Sequence, residues 1–344
     1  MNQIKKIITV ICAATAVICL IALHKIKTTK KAEITIGILQ TASHPALDAA
    51  CQGFTQELKK ELGTNVDFII KNAQGSLINA HALAQSMLAS GGDTIDAFFA
   101  IATPAAQALE ALEKQKPILI AAVTDPHAAG IMRPNSNVTG TSDMINVAKE
   151  VALIPILLPN VKKVAILFSN GEINASTMAH KMITELTRIG LTPIPIAITN
   201  EMDLIPALDK ALKCADALLT PTDNTIACAI QLVAQRARSA KKPLIVSDNL
   251  LVKQGALASR GVDYHESGKQ AATIALQILI QGKKPADIPL LSGNSDTIVI
   301  NPITAQHLGI TVPDALKKQI KLVTSQEQAH QEQAHQKQVS QEQT

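Results

Sequence analysis

Short apolar runs recur along this chain, and the stretches between them have the residue pattern of helices. Such runs suit fully buried strands, and the interval from one run to the next suits a βαβ unit. Connections of this kind are right-handed and produce a parallel sheet with helices on both faces. The sequence therefore predicts an α/β fold with strands that begin near Ile34, Val66, Asp96, Pro117, Val164, Ile194, Asp216 and Pro243.

These strands form two sets of four, separated by residues 133–159. Two sets predict two similar lobes rather than one long sheet. Residues 255–264 should lead back to the first lobe, residues 266–281 are predicted as a helix there, and residues 297–300 as a last strand in the second lobe. We therefore expect two doubly wound parallel-sheet lobes joined by a hinge. The predicted bounds are 32–142 and 262–290 for lobe 1, and 143–261 and 291–322 for lobe 2.

Both ends of the chain differ from the lobes. Residues 7–23 form an uninterrupted apolar run flanked by lysines, which is the layout of an export signal and predicts an extracytoplasmic protein. As a helix this run would rise about 26 Å, slightly less than a hydrocarbon core of about 30 Å, which suits a long signal peptide or a marginal anchor. No small residue precedes Cys12 or Cys19, as lipoprotein processing requires, so we favour an uncleaved membrane anchor within residues 1–31. Residues 323–344 are Gln-rich with almost nothing to bury, and are predicted to be disordered.

Composition and motifs exclude several classes of function. The net charge is only +4 and no Lys/Arg stripe is interleaved with aromatic residues, so no nucleic-acid partner is expected. The chain has no glycine-rich phosphate motif, no G-x-S-x-G and no H-E-x-x-H, and we predict neither catalysis nor a cofactor. Outside the apolar run only Cys51, Cys214 and Cys228 remain, which predicts neither a disulfide framework nor a metal site.

Polar segments follow the predicted strands, at the point where each strand leads into a helix. In open parallel sheets, ligands bind beyond these carboxyl ends. Free helix N-termini suit a carboxylate and acidic side chains suit an ammonium group, so the combined set predicts a site for a small zwitterion. The segments are Ser43-His44-Pro45, Thr103-Pro104, Thr124-Asp125-Pro126, residues 169–174, residues 220–224 and Ser247-Asp248-Asn249.

Each of these polar residues also has a structural explanation, because Ser, Thr, Asp and Asn are what helix N-caps prefer. Asp223 opens a predicted helix, and is either a plain N-cap or the partner of a ligand ammonium group. His44 and His127 follow strands and could both face the cleft, but scattered histidines are more often polar surface residues, and we expect both at the surface.

Several strings occur in a fixed order along the chain: His44-Pro45-x-Leu47-Asp48, Asn72-Ala73-Gln74-Gly75, Thr103-Pro104-Ala105-Ala106-Gln107, Val123-Thr124-Asp125-Pro126, Glu172-x-Asn174 and Gly261-Val262-Asp263-Tyr264. In this order they resemble the ABC transporter substrate-binding family that includes tryptophan and tyrosine binders. The resemblance implies a type I periplasmic-binding-protein fold with three crossings between lobes, capture of an amino acid, and delivery to an ABC permease with its cytoplasmic ATPase. It also implies a ligand lining that includes Thr103, Asp125, Ser142, Asp143, Glu172, Asn174, Asp223, Asn224 and Asp263.

The chain departs from the family pattern at Phe168-Ser169, where Tyr-Asn is common, and at Ala175, where Ser is common. With so few aromatic residues, an aromatic ligand would rest on Phe168, Tyr264 or aliphatic walls, and a smaller amino acid stays open. Two other functions also stay open. One is a binder of a sugar, nucleoside or peptide, and the other is a ligand sensor or scaffold that takes no part in transport.

Overall fold

The computed structural model describes residues 34–91, 94–292, 297–317 and 320–322. The predicted anchor in residues 1–31 and the predicted tail in residues 323–344 lie outside this range. Within it, no helix has both the length and the apolar character needed to cross a bilayer.

Lobe 1 is built on a six-stranded sheet of β1 (Ile34–Gln40), β2 (Val66–Asn72), β3 (Ala97–Ile101), β4 (Ile118–Val123), β5 (Val138–Ser142) and β11 (Leu291–Ser292). The spatial order is β2-β1-β3-β4-β5-β11, and every pair is parallel. All residues of β3 and β4 are buried, as expected for central strands covered by helices on both faces. The order reverses at β1, so the loops after β1 and β3 lie at the switch point where such sheets bind ligands.

Lobe 2 is built on a seven-stranded sheet of β6 (Lys163–Ser169), β7 (Thr192–Ile198), β8 (Ala217–Thr220), β9 (Leu244–Asp248), β10 (Ala258–Val262), β12 (Ile298–Ile300) and β13 (Ile320–Leu322). The spatial order is β7-β6-β8-β9-β10-β12-β13. This sheet is mainly parallel, as predicted, with one antiparallel pair formed by β10 and β12. β10 runs towards the hinge and leaves the lobe there, whereas β12 re-enters from the hinge and runs in the opposite direction.

Helices cover both sheets: α1 (Pro45–Leu62), α2 (Leu77–Gly91), α3 (Thr103–Leu112), α4 (Val147–Val151), α5 (Leu153–Leu157), α6 (Ile173–Arg188), α7 (Leu204–Cys214), α8 (Asn224–Cys228), α9 (Ile230–Ser239), α10 (Asn249–Val252), α11 (Tyr264–Leu279), α12 (Pro302–His307) and α13 (Asp314–Lys317). Short 3-10 helices occupy Gly63–Asn65, Glu201–Asp203 and Pro285–Asp287. All eight predicted strands exist and begin within two residues of the expected position. The strands β5, β10, β11 and β13 were not predicted, and the last two are only two or three residues long.

Two glycines hold the returning helix α11 against α1 in lobe 1. A Cβ atom at Gly53 would collide with the carbonyl oxygen of His265, and one at Gly268 would collide with the carbonyl oxygen of Ala50. Only glycine permits the two backbones to approach this closely. The close contact places Tyr264, the first residue of α11, beside the interface between the lobes.

The chain passes between the lobes three times: after Ser142, after Val262 and after Ser292. Two predicted bounds differ slightly from these crossings. Val262 was assigned to lobe 1 but pairs with Asp248 in the second sheet. Leu291 and Ser292 were assigned to lobe 2 but pair with β5 in the first sheet. Backbone pairing with a partner strand decides to which sheet each of these residues belongs. The local residue pattern does not encode that pairing.

Candidate ligand-binding site

The loops that follow the strands of the two sheets converge on a cleft between the lobes. Lobe 1 contributes the segments after β1, β3, β4 and β5, and lobe 2 contributes those after β6, β7, β8 and β9. Most polar side chains in these loops, and at the strand ends and helix starts beside them, are buried, and hydrogen bonds across the cleft show that the lobes contact each other there. The buried members include His44, Thr103, Thr124, Asp143, Glu172, Asn174, Thr222, Asp223, Asn224 and Asp248.

Glu172 organises the lobe 2 side of the cleft. One of its carboxylate oxygens accepts hydrogen bonds from the backbone N–H and the hydroxyl of Thr225, at 3.0 and 2.8 Å. The other accepts from Nδ2 of Asn224 at 2.5 Å. The carboxylate thus binds the start of α8, where the helix presents backbone donors and partial positive charge.

Asp223 is held by two backbone donors. Its Oδ1 accepts from the N–H of Ile226 at 2.9 Å, and its Oδ2 accepts from the N–H of Ser169 at 2.5 Å. Burial, assisted by the nearby charge of Glu172, raises the pKa of Asp223 to about 7. Asp223 therefore caps α8 and ties it to the end of β6, and both of its oxygens are occupied.

Hydrogen bonds between side chains join the lobes directly. Nε2 of His44 in lobe 1 lies 3.1 Å from Oδ1 of Asn224 in lobe 2, and the hydroxyls of Thr124 and Thr222 lie 3.0 Å apart. His44 is only 7% exposed, so the expectation that it lies at the surface is wrong. Burial lowers its pKa, which favours the neutral ring.

Asp143 lies at the first crossing and is almost wholly buried. Its Oδ2 accepts a 2.8 Å hydrogen bond from the hydroxyl of Tyr264. Burial raises the pKa of Asp143, and it raises that of the neighbouring Asp248 to about 7. The structure therefore places several acidic groups in a small, buried volume.

Two cavities lie between the lobes. The outer cavity has a volume of about 370 Å³, and its walls are Thr41, Gly75, Leu77, Pro104, Ser169, Gly171, Glu172, Thr199, Asn200, Glu201, Met202 and Thr225. The inner cavity, of about 20 Å³, is enclosed by His44, Leu47, Ala122, Asp143, Asn174, Pro221, Thr222, Asp223, Asn224, Ala227, Asp248, Leu251 and Tyr264. Acidic residues line both cavities, and neither of these two linings contains a lysine or an arginine.

The predicted lining residues divide into two groups. Glu172 lines the outer cavity, and Asp143, Asn174, Asp223 and Asn224 line the inner one. The remaining four lie outside the walls of both cavities, and are Thr103, Asp125, Ser142 and Asp263.

Each of these four has a local role or position of its own. Asp263 is exposed and caps α11 through the N–H of Glu266. Asp125 is half-buried, accepts from the N–H of Ala128, and lies 3.7 Å from Lys181 of lobe 2. The other two are buried: Ser142 donates to the carbonyl oxygen of Thr124, and Thr103 opens α3.

Sequence reasoning missed the lobe 2 loop that follows β7. Residues 199–202 form one wall of the outer cavity, and Leu77 of α2 forms another. The rule that selected the other loops, a polar segment at the carboxyl end of a strand, also fits Thr199 and Asn200. β7 is the edge strand of its sheet, and the loop after it carries the same polar signal as the loops after the central strands.

A family model described as ABC transporter substrate binding protein matches residues 35–323. The chain belongs to this family. A tyrosine-binding protein from Clostridioides difficile is 32% identical to the chain over 310 residues, which is 88% of each sequence. Together these findings confirm the predicted family, whose members are substrate-binding proteins rather than enzymes.

Two solved structures resemble this substrate-binding protein closely. A domain from Streptococcus pneumoniae in complex with L-Trp is 34% identical, with a TM-score of 0.80, and covers 85% of this chain and 99% of its own. A conserved domain protein from Vibrio cholerae is 33% identical, also with a TM-score of 0.80, over 85% and 100% of the two chains. The predicted type I periplasmic-binding-protein fold, with two lobes on mainly parallel sheets, is confirmed.

Proposed function

We propose that this substrate-binding protein captures an amino acid in the interlobe cleft and delivers it, outside the cytoplasm, to an ABC permease driven by a cytoplasmic ATPase. The observation that carries the proposal is the outer cavity, whose walls come from both lobes. Its volume of about 370 Å³ falls within the range of about 300–1,000 Å³ that is usual for small-ligand pockets. A ligand held there contacts both lobes and stabilises their closed arrangement.

The walls of the outer cavity favour an amino acid with an apolar or aromatic side chain. Leu77 and Pro104 of lobe 1 and Met202 of lobe 2 supply apolar surface, beside the hydroxyls of Thr41 and Ser169. The relatives from C. difficile and S. pneumoniae, named for tyrosine and found with L-Trp respectively, support the same class of ligand.

No aromatic residue stands in the outer wall. Phe168 is buried and lines neither cavity, and Tyr264 lines only the inner one. An aromatic ligand side chain in the outer cavity therefore rests on aliphatic side chains, and not on Phe168 or Tyr264. Met202 suits this role because methionine is flexible and makes favourable contacts with aromatic rings.

Calorimetric titration of the purified full-length protein with the twenty common L-amino acids tests the binding step. We expect L-tyrosine or L-tryptophan to bind most tightly. Failure of every amino acid to bind, together with binding of a sugar, nucleoside or peptide, would overturn the proposal.

Uptake of the bound amino acid tests the transport step. Cells that lack this protein should lose uptake of the radiolabelled amino acid and regain it when the protein is restored. Unchanged uptake in cells that lack the protein would instead indicate a sensor or scaffold.

We place the lobes outside the cytoplasm, tethered by the apolar run in residues 7–23. The family supports the location, and the length and lysine flanks of the run support the tether. Fractionation should recover the protein with membranes, and protease added to spheroplasts should digest the lobes. Recovery in the cytosolic fraction would contradict both statements.

A further inference from the structure

His44 and Asn224 form a hydrogen-bonded pair across the cleft, with one residue from each lobe. His44 directly precedes α1 in lobe 1, and Asn224 is the first residue of α8 in lobe 2. Both side chains are buried, and both line the inner cavity together with Leu47 of lobe 1 and Leu251 of lobe 2. Separation of the lobes therefore breaks this hydrogen bond and brings the imidazole into contact with water.

The surrounding hydrogen bonds fix the protonation state of His44 that the closed arrangement accepts. Nδ2 of Asn224 donates to the carboxylate of Glu172, so Oδ1 of Asn224 faces His44 and requires a proton on Nε2 of the imidazole. Nδ1 of His44 is buried and has no hydrogen-bond partner among the described residues. A second proton on the ring would turn Nδ1 into a buried donor without an acceptor, which is energetically costly.

Two further features oppose a positive charge on His44. The imidazole lies at the N-terminus of the 18-residue helix α1, where the partial positive charge of the helix disfavours a cation. Burial lowers the pKa of His44, and this effect exceeds the opposing influence of the Asn224 hydrogen bond and of the negative charges of Asp48 and Glu172. The closed arrangement therefore favours the neutral ring.

The titratable groups around His44 come from both lobes. Those that line the inner cavity or act on His44 electrostatically are Asp48, Asp143, Glu172, Asp223, Asp248 and Tyr264. Burial raises the pKa values of Asp143, Asp223 and Asp248, which is the opposite direction to that of His44. The pH dependence due to His44 is therefore obtained by comparison with a variant that lacks only the imidazole.

We infer that His44 is a pH-sensitive latch between the lobes, which holds them together when its ring is neutral and releases them when the ring is protonated. In the open arrangement water surrounds the imidazole, and its pKa returns towards the ordinary value of about 6.5. Because the pKa is lower in the closed arrangement, the closed form is favoured above about pH 6.5 and loses this advantage as the pH falls below that value.

The latch regulates the site of the proposed function and rests on that function for its ligand. A ligand that is held between the lobes binds to the closed form, so a shift towards the open form weakens its apparent affinity. Acidic conditions outside the cytoplasm therefore favour release of the ligand through His44.

Calorimetric titration of the full-length protein with L-tryptophan at pH 7.5 and at pH 5.0 tests the latch. We expect the wild type to lose at least about fivefold more affinity at the lower pH than His44→Gln loses. The upper limit is about thirtyfold, for a group of pKa about 6.5 that binds its proton only in the open arrangement. Gln retains an N–H donor for Asn224 and does not titrate. His127→Gln, at an exposed histidine that lines neither cavity, is the matched control and should follow the wild type.

Hydrogen exchange at the C2 position of the imidazole, followed by mass spectrometry, measures the pKa of His44 in the wild type and needs neither a variant nor a bound ligand. We expect a pKa below about 6.5 in the ligand-free protein. A further decrease is expected when L-tryptophan holds the lobes together.

The outcomes separate the inference from the proposed function. Parallel pH dependence of the wild type and His44→Gln, or a smaller loss of affinity in the wild type, overturns the latch and leaves amino-acid binding intact. If no amino acid binds at any pH, the proposed function is overturned and the exchange measurement decides the inference. A pKa of His44 at or above about 6.5 then overturns it, and a lower value supports it. The same measurement decides the inference if the melting temperature shows that His44→Gln is not folded.

Discussion

The hydroxyl of Tyr264 donates a 2.8 Å hydrogen bond to Oδ2 of Asp143, and this contact joins two of the three chain segments that pass between the lobes. Asp143 directly follows β5 at the first crossing, and Tyr264 opens α11 just after the second. Burial raises the pKa of Tyr264 far above its usual value, so its hydroxyl remains a donor. The pair therefore belongs both to the hinge and to the wall of the inner cavity.

Tyr264→Phe should destabilise the protein by about 1–3 kcal/mol, because it leaves Oδ2 of the buried Asp143 without a donor. Urea denaturation measures the loss. A double-mutant cycle with Asp143→Ala, which removes the acceptor, isolates the contribution of the pair, and we expect a coupling energy of at least about 0.5 kcal/mol. Additive effects of the two substitutions would show that the hydrogen bond contributes nothing to stability.

Asp223→Asn should lower stability even without ligand. Both carboxylate oxygens accept from backbone N–H groups, at Ser169 and Ile226, and an amide offers only one acceptor. We expect a loss of about 1–3 kcal/mol in the free energy of unfolding. Asp263→Asn provides the comparison, because an exposed N-cap tolerates Asn at almost no cost. Equal stability of the two variants would mean that the contact between Asp223 and Ser169 has no energetic weight.

Glu150 on α4 should make stability depend on pH. Its Oε2 and the carbonyl oxygen of Thr220 each lie 3.2 Å from the hydroxyl of Ser247. The hydroxyl has one proton, so both contacts are satisfied when Glu150 is protonated and itself donates. Burial raises the pKa of Glu150 from 4.5 to about 8.

Because the folded-state pKa lies above the unfolded value, the neutral acid stabilises the fold fully below about pH 4.5, and this contribution is lost as the pH rises towards about 8. Relative to the Glu150→Gln variant, the wild type should therefore lose at least about 1 kcal/mol of stability between pH 5 and pH 8. Urea denaturation of both proteins across this range provides the measurement. Parallel pH curves would show that Glu150 titrates normally.

Leu77→Ala and Met202→Ala should each weaken binding of L-tryptophan by about threefold to tenfold, through loss of apolar contact across the outer cavity. Ile280→Ala is the matched control, since Ile280 is 58% exposed and lines neither cavity. Calorimetric titration provides the affinities. Unchanged affinity in both variants would place the ligand side chain elsewhere.

The positions of the eight main strands could be predicted from sequence because buried strands and covering helices have local signatures. The same is true of the polar loops, since parallel strands bring their carboxyl ends to one edge of a sheet. Strands such as β11 and β13 could not be predicted, because segments of two or three residues carry too little pattern and depend on a partner strand from a distant part of the chain.

The sequence by itself determined the family, the two-lobed α/β architecture and the group of loops that lines the cleft. All three depend on residue order and short-range periodicity. Only the tertiary structure decided which polar residues act together. Asp223 and Asp263 are both Asp residues that cap helices, yet one is buried between two strand ends and the other is exposed. Whether a side chain contacts ligand or merely caps a helix depends on packing against the opposite lobe, and that contact joins residues as far apart as His44 and Asn224.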